Sequence, residues 1–258
     1  MSWAVRRQLQ YLLGTLLFLG VLSFAILYPI VHKAPTCSDA KQNGKETGVD
    51  CGGICKRLCS AELAEPQILW KRAFLVSNTT YNLVAMVQNS NPSAGVEKAN
   101  YEFRAYDTNN LLIGRRAGTT FIPPNQEFAI FEPRFEGGPT EIKSVILVFT
   151  SPLEWVKKPS TIQALPIRVE NIAYGENDQS PSLSARITND SIYNIPAFDS
   201  VAIVYDENRV AINASKTHIE NLDTNTIKDI TFTWPLPFVT QPLSQDVLLL
   251  INPFTTGF

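Results

Sequence analysis

Histidine and late cysteine are what this chain has least of, and each shortage excludes a kind of chemistry. Two histidines occur in 258 residues. One, His32, abuts a long apolar run, so His218 is the only imidazole left for a site elsewhere. It sits in a strand-like stretch, Lys216-Thr217-His218-Ile219, where a solvent-facing or hydrogen-bonded role accounts for it. All four cysteines fall between Cys37 and Cys59 and none follows. No G-x-S-x-G, no H-E-x-x-H and no phosphate-cradling glycine loop is present. Acid pairs such as Glu170 with Glu176, or Asp206 with Glu207, fall at strand ends and hairpin tips. Solvation explains them without a catalytic dyad. The chain reads as no enzyme, and an unrecognised hydrolase built on His218 is the weakest of the available readings. Excess positive charge is lacking too: 22 Lys and Arg stand against 24 Asp and Glu, a formal net charge of −2. No surface for nucleic acid stands out.

Formal charge is also missing from residues 8–31, QLQYLLGTLLFLGVLSFAILYPIV. As a helix this run would span roughly 36 Å, enough for a hydrocarbon core of about 30 Å. It holds fourteen Leu, Ile, Val or Phe residues, worth roughly −4 to −8 kcal/mol of insertion free energy. A cleaved signal peptide competes with this reading, since Ser23-Phe24-Ala25 offers small residues at suitable positions. Apolar sequence continues through Ile26, Leu27, Ile30 and Val31, however, beyond the usual 7–15 residues of a signal core. The run therefore reads as an uncleaved signal-anchor. Arg6 and Arg7 before it outweigh Lys33 after it, which keeps residues 1–7 in the cytoplasm and exports the remainder. Gly14 and Gly20 do not form a G-x-x-x-G pair, so no helix-dimer face is indicated.

The cysteines are spaced C-x13-C-x3-C-x3-C within a segment, 34–60, rich in Gly, Asp and Asn. An even count on the exported side reads as two disulfides, and zinc is disfavoured because the paired C-x2-C spacing is absent. Of three possible pairings, Cys51–Cys55 and Cys55–Cys59 would each close a very short, strained loop. That favours Cys37–Cys55 with Cys51–Cys59. The segment resembles a short motif of secreted and surface proteins, C-x-D-G-x-x-N-x-x-E-x-G-x-D-C-G-G-x-C, and departs from it at Ala40, where the motif carries glycine. Asp39, Asn43, Glu46 and Asp50 place four oxygen donors in this glycine-rich loop, the ligand type calcium prefers. Their spacing is not that of an EF-hand. Turn and capping chemistry in a disulfide loop is the other reading.

From Pro66 onward the pattern is period-two, with β-branched and aromatic residues. Strands are expected at 70–77, 81–89, 99–107, 111–121, 127–135 and 142–150, then at 167–174, 182–188, 199–206, 210–219, 226–234 and 246–252. Sliding the first set by 100 lays Leu83, Ala85, Val87 and Asn89 on Leu183, Ala185, Ile187 and Asn189, and Tyr101 and Phe103 on Val201 and Ile203. With one residue then lost in a turn, Asp107 and Asn109 fall on Asp206 and Asn208, and Phe128, Phe131 and Phe135 on Ile227, Ile230 and Trp234. The agreement implies a tandem duplication with its junction at 153–166. The expected fold is all-β: two immunoglobulin-like β-sandwiches, 66–152 and 167–258, after one transmembrane helix and a small disulfide-rich collar.

The turns Tyr106-Asp107-Thr108-Asn109 and Tyr205-Asp206-Glu207-Asn208, each before a late apolar strand, resemble the FxLYD and LEA-type immunoglobulin-like or fibronectin-III-like domains of membrane-anchored bacterial proteins. The resemblance implies a fold and transfers no binding residue. Arg115-Arg116 reads as charge protecting an edge strand, and Trp155 with Lys157-Lys158 as a semi-rigid linker carrying a packed indole. The sequons at Asn78, Asn189 and Asn213 matter only in a glycosylating host. The function implied is that of a single-pass cell-membrane protein displaying two modules outside the cytoplasm, binding an envelope or surface protein. A calcium- or small-ligand-binding surface protein is the alternative.

Overall fold

A computed structural model describes residues 3–31, 34–158, 165–175 and 179–255. His32, Lys33, Glu176 and positions 159–164 of the expected junction lie outside the described residues. The chain forms two compact units, residues 1–55 and residues 56–258.

In the first unit a single helix, α1, runs from Trp3 to Val31. It begins five residues before the uncharged run because nothing in Ala4-Val5-Arg6-Arg7 breaks a helix. Arg7 lies one turn after Trp3, with its guanidinium carbon 4.3 Å from an indole ring centroid. Pro29 falls near the end of α1, where the missing N–H costs little continuing helix. The helix is long and apolar enough to cross a membrane, and none of its apolar window is covered by protein.

The second unit holds thirteen strands among the described residues. They are β1 (Gln67–Ser77), β2 (Thr80–Asn89), β3 (Ala94–Tyr106), β4 (Leu112–Ile122), β5 (Gln126–Glu136), β6 (Ser144–Phe149) and β7 (Trp155–Lys157), followed by β8 (Ile167–Tyr174), β9 (Ser182–Asn189), β10 (Phe198–Tyr205), β11 (Ala211–Ile219), β12 (Ile227–Thr233) and β13 (Ser244–Leu250). All pairings are antiparallel. The sheets are β1-β2-β5 and β4-β3-β6 in the first half, β8-β9-β12 and β11-β10-β13 in the second.

The fold is therefore all-β after one apolar helix and an oxidised cysteine segment. Twelve of the strands are those the period-two pattern predicts. The thirteenth, β7, lies in the expected linker but pairs with the start of β3 through Ala94, Gly95 and Val96. Trp155 is buried in the first core, and Leu58 N–H donates to its carbonyl at 2.8 Å. The first sandwich thus extends to Lys157 and includes residues 56–58.

Each half closes its own core by strand alternation. Leu83, Ala85 and Val87 of β2 meet Phe103 and Ala105 of β3 and Ile130 of β5. In the second half, Leu183, Ala185 and Ile187 meet Ala202, Val204, Ile230 and Phe232. A third cluster joins the halves. Phe74, Val84, Met86, Ala129 and Phe131, on the outer face of β1-β2-β5, pack against Val201, Ile203, Tyr205, Ala211 and Ala214 of β10 and β11. Four sheets are stacked in consequence, and β2 and β10 are covered on both faces. Their unbroken apolar runs, Leu83-Val84-Ala85-Met86-Val87 and Val201-Ala202-Ile203-Val204-Tyr205, are what a strand buried on both faces requires.

That double burial corrects the expected offset between the halves. Tyr101 and Phe103 face the first core, whereas Val201 and Ile203 face the other half. The residues of β10 that fill the position of Phe103 and Ala105 are Ala202 and Val204, an offset of 99. The residue is lost before β3 and β10, not in the turn after them. In β5 and β12 the offset returns to 100, since Ala85 pairs with Ile130 and Ala185 with Ile230. Phe128 therefore corresponds to Lys228, and Ile227 is exposed. A one-residue slip exchanges the two faces of a strand, and a strand apolar on both faces gives no sequence signal of that slip.

Substitution at the inter-sandwich cluster separates its contribution from that of the two cores. Ile203 is fully buried there, so Ile203→Ala is expected to cost about 2–4 kcal/mol. Ile203→Asp should uncouple the halves, splitting one calorimetric unfolding transition of the wild type into two. Two transitions in the wild type, or one unchanged transition in the aspartate variant, would show that the halves unfold independently of this cluster.

Candidate functional site: the cysteine-rich collar

The collar folds on turns and cross-links, because a piece this small has no core. Cys37 and Cys55 are joined, with their Cα atoms 5.8 Å apart. Cys51 and Cys59 are also disulfide-bonded, and no cysteine is free. Gly48 and Cys51 form an isolated antiparallel bridge. Gly53 has φ +55°, and an added Cβ would fall on the Lys45 carbonyl oxygen, so the second glycine of Cys51-Gly52-Gly53 is sterically obligatory.

The four expected oxygen ligands are all in this loop, and the structure gives most of their oxygens to amides. Asp50 Oδ1 accepts Asp39 N–H at 2.9 Å, and its Oδ2 accepts Ala40 N–H at 2.9 Å. Asp39 Oδ1 accepts Lys41 N–H at 3.0 Å, and its Oδ2 accepts Asn43 Nδ2–H at 2.8 Å. The Asn43 amide beside it holds the Asp39 carboxyl below the usual carboxylate range. Glu46 Oε2 accepts Asn43 N–H at 3.2 Å. Asn43 Oδ1 is buried with no hydrogen-bond partner.

Among the described residues, one group of three or more His, Cys, Asp and Glu side chains brings ligand atoms within 4.8 Å of one another: Cys37, Glu46 and Cys55. Its two sulfurs are spent in the disulfide, so neither offers the thiolate that a metal binds. Asp39, Glu46 and Asp50 do not form such a group.

The remaining sequence-predicted positions are scattered over the second unit. His218 Nδ1 lies 2.7 Å from Asp199 Oδ1, and Lys216 Nζ donates to Asp199 Oδ2 at 2.9 Å. Burial pushes the Asp199 carboxyl up, but hydrogen bonds from Lys216 and His218 outweigh it, so the net shift is downward. Arg116 donates to the Arg134 carbonyl. Asp206 Oδ1 accepts the N–H groups of Asn208 and Val210, which is turn chemistry.

Two residues matter more than the sequence suggested. Asn89 and Asn189 are buried at the ends of β2 and β9. Asn89 Nδ2 donates to the carbonyls of Ala94 and Pro123, and its Oδ1 accepts Asn91 N–H. Asn189 Nδ2 donates to the carbonyls of Tyr193, Leu222 and Asp223, and its Oδ1 accepts Ser191 N–H. Each staples a loop to its sandwich. The sequon asparagine Asn189 is thus occupied inside the fold.

No protein-family model and no curated protein matches the sequence. Among solved structures, one similar chain is titled crystal structure of red sea bream transglutaminase. It shares 13% identity, the match covers 73% of this chain and 31% of that one, and the TM-score is 0.26. A likeness of that size carries no functional argument.

The turn at Ala40 has a conformational cost. Ala40 has φ +58°, in the left-handed region where an L side chain loses about 1–2 kcal/mol and glycine does not. Ala40→Gly should therefore stabilise the collar by roughly 1 kcal/mol, and amide hydrogen exchange at Lys41 and Asn43 should slow about fivefold. Unchanged or faster exchange would mean that the rest of the collar does not depend on this turn.

Proposed function

We propose that this chain is a single-pass membrane protein that displays a rigid pair of immunoglobulin-like β-sandwiches outside the cytoplasm, where it binds another envelope or surface protein and performs no catalysis. The observation that carries the reading is the sequence of parts in the first unit: an apolar helix uncovered by protein, followed directly by an oxidised collar. Disulfides persist in oxidising compartments, and Arg6 and Arg7 favour a cytoplasmic N-terminus. The collar and everything after it then belong on the exported side.

The common strand order of the two halves, their matched buried asparagines and their matched Asp107 and Asp206 turns support a tandem duplication of the FxLYD or LEA-type kind. The exposed His218 imidazole lies within hydrogen-bond distance of Asp199 Oδ1.

The calcium reading has one observation in its favour, the buried and unpartnered Asn43 Oδ1 between Asp39 and Glu46 in the sequence. Against it, both carboxylates that would bind first, Asp39 and Asp50, are engaged with N–H groups.

Chemical cross-linking in intact membranes, followed by mass spectrometry, tests the display reading. Expected are a chain retaining residues 1–33 and a cross-linked protein partner attached to lysines of residues 56–255. A chain cleaved after Ala25, or one that stays monomeric with no partner attached, would sink it. Addition of millimolar calcium to the full chain in detergent should leave its melting temperature unchanged. A rise of several degrees, lost in Asp39→Asn, would favour the calcium reading instead.

A further inference from the structure

The stacking of the four sheets brings strand edges together along one margin. β6 neighbours β1, β1 neighbours β11, and β11 neighbours β12, while β4, β5 and β13 follow one another at the opposite margin. At the first margin lies an open cavity of about 770 Å³, bordered by residues 70–75, 142–145, 210–213 and 236–240. It therefore touches β1, β6, β11 and the loop between β12 and β13.

The lining of this cavity is made of consecutive residues. A groove on a sheet face is lined by alternate residues, because side chains point up and down in turn. Six neighbours in sequence, Trp70 to Leu75, can border one space only if the main-chain edge of β1 faces it. That edge is open: β1 pairs with β2 and with no strand on its other side among the described residues. Its pairing is regular from Trp70 to Leu75 and irregular on either side, at Ile68/Trp70 and Leu75/Ser77. Bulges commonly blunt an edge strand. Here they flank a regular segment of about 20 Å that stays available for pairing.

The chemistry of the border is one-sided. Lys71, Arg72 and Lys143 are exposed on it, and among the described residues no Asp or Glu borders it, although the whole chain carries a small negative charge. Between the cations lie Trp70, Phe74 and Val145, with Phe238 and the fully exposed Val239 on the opposite loop. Main-chain donors and acceptors, apolar seats and three cations are the components of strand addition to an acidic ligand.

We propose that this groove binds an extended acidic segment of a partner protein, which adds to β1 as an outer strand. Main-chain ladder bonds hold the segment, its alternate apolar residues lie on the side of Trp70 and Phe74, its carboxylates lie on the side of Lys71, and Arg72 and Lys143 add positive charge at the border. A second copy of this chain is a poor occupant, because its own β1 edge carries the same Lys71 and Arg72, and like charges opposed across a strand pair repel. The proposal rests on the display reading and names the surface and the chemistry of its partner.

The test uses the full chain in detergent micelles and a dansyl-labelled ten-residue peptide alternating Glu and Val, followed by fluorescence anisotropy. Saturable binding is expected, about tenfold weaker for a Lys/Val peptide of the same length and for a Glu/Val peptide N-methylated at alternate amides. The triple variant Lys71→Glu/Arg72→Glu/Lys143→Glu should lose the Glu/Val peptide by a similar factor, whereas Arg186→Glu, in a different sheet, should not. No binding of the Glu/Val peptide, or equal binding of all three peptides, would overturn the proposal. If the triple variant fails to fold, the N-methylated peptide still decides whether the ladder is used. Cross-links from membranes that map to a partner elsewhere on residues 56–255, with no peptide binding, overturn the groove and leave the display reading standing. Absence of any cross-linked partner overturns the display reading itself.

Discussion

The packing of one sheet face against another, between the halves rather than within them, is the constraint on which the second unit depends. Val84, Met86 and Phe131 on one side and Val201, Ile203 and Tyr205 on the other are buried only because the two sandwiches meet. Separated, each half would expose a contiguous apolar face of the kind soluble domains avoid. At about 1.5–3 kcal/mol for each large side chain buried, the cluster is comparable to a small core. It turns two modules joined by a short connection into a four-layered body. The connection has little left to decide, because Trp155 and β7 are already committed to the first sandwich.

The interface is head-to-tail: the β1-β2-β5 sheet of the first half meets the β11-β10-β13 sheet of the second, which corresponds to β4-β3-β6. Such an arrangement could in principle repeat indefinitely. The equivalent outer face of the second half is polar. Where the first half presents Val84, Met86 and Phe131, the second presents Ser184, Arg186 and Thr231, with Arg186 paired to Asp229. The same stacking lines up β6, β1 and β11 at one margin, so the groove there is a product of how the halves meet and belongs to neither alone.

Within each half, polar residues fix what the apolar pattern leaves free. Asn89 and Asn189 satisfy loop carbonyls and amides that burial would otherwise orphan. Tyr101 spans the first sandwich, its hydroxyl donating to Glu132 at 2.6 Å; burial and that carboxylate hold the phenol far above its ordinary range. The second half has Ser200 at the corresponding place and no counterpart of this bond. In the collar the same logic operates without a core. Carboxylates of Asp39, Glu46 and Asp50 cap N–H groups, and the disulfides close what the caps arrange.

Much of this was written in the chain itself. An uncharged apolar run has one stable secondary structure in hydrocarbon, four clustered cysteines oxidise together, and period-two alternation with turn residues between marks strands, so α1, the collar and twelve of the strands were legible from residue order alone. The left-handed turn at Ala40 became visible only with φ +58° in hand. Only the tertiary structure could decide what lies against the second face of β2 and β10. A strand apolar on both faces announces that it is buried twice without saying by what, and without revealing which of its residues face which core. Hence the offset between Phe103 and Ala202, the meeting of the halves through Ile203 and Phe131, and the exposed edge of β1 were settled by packing, where the alternative was to leave both faces in water.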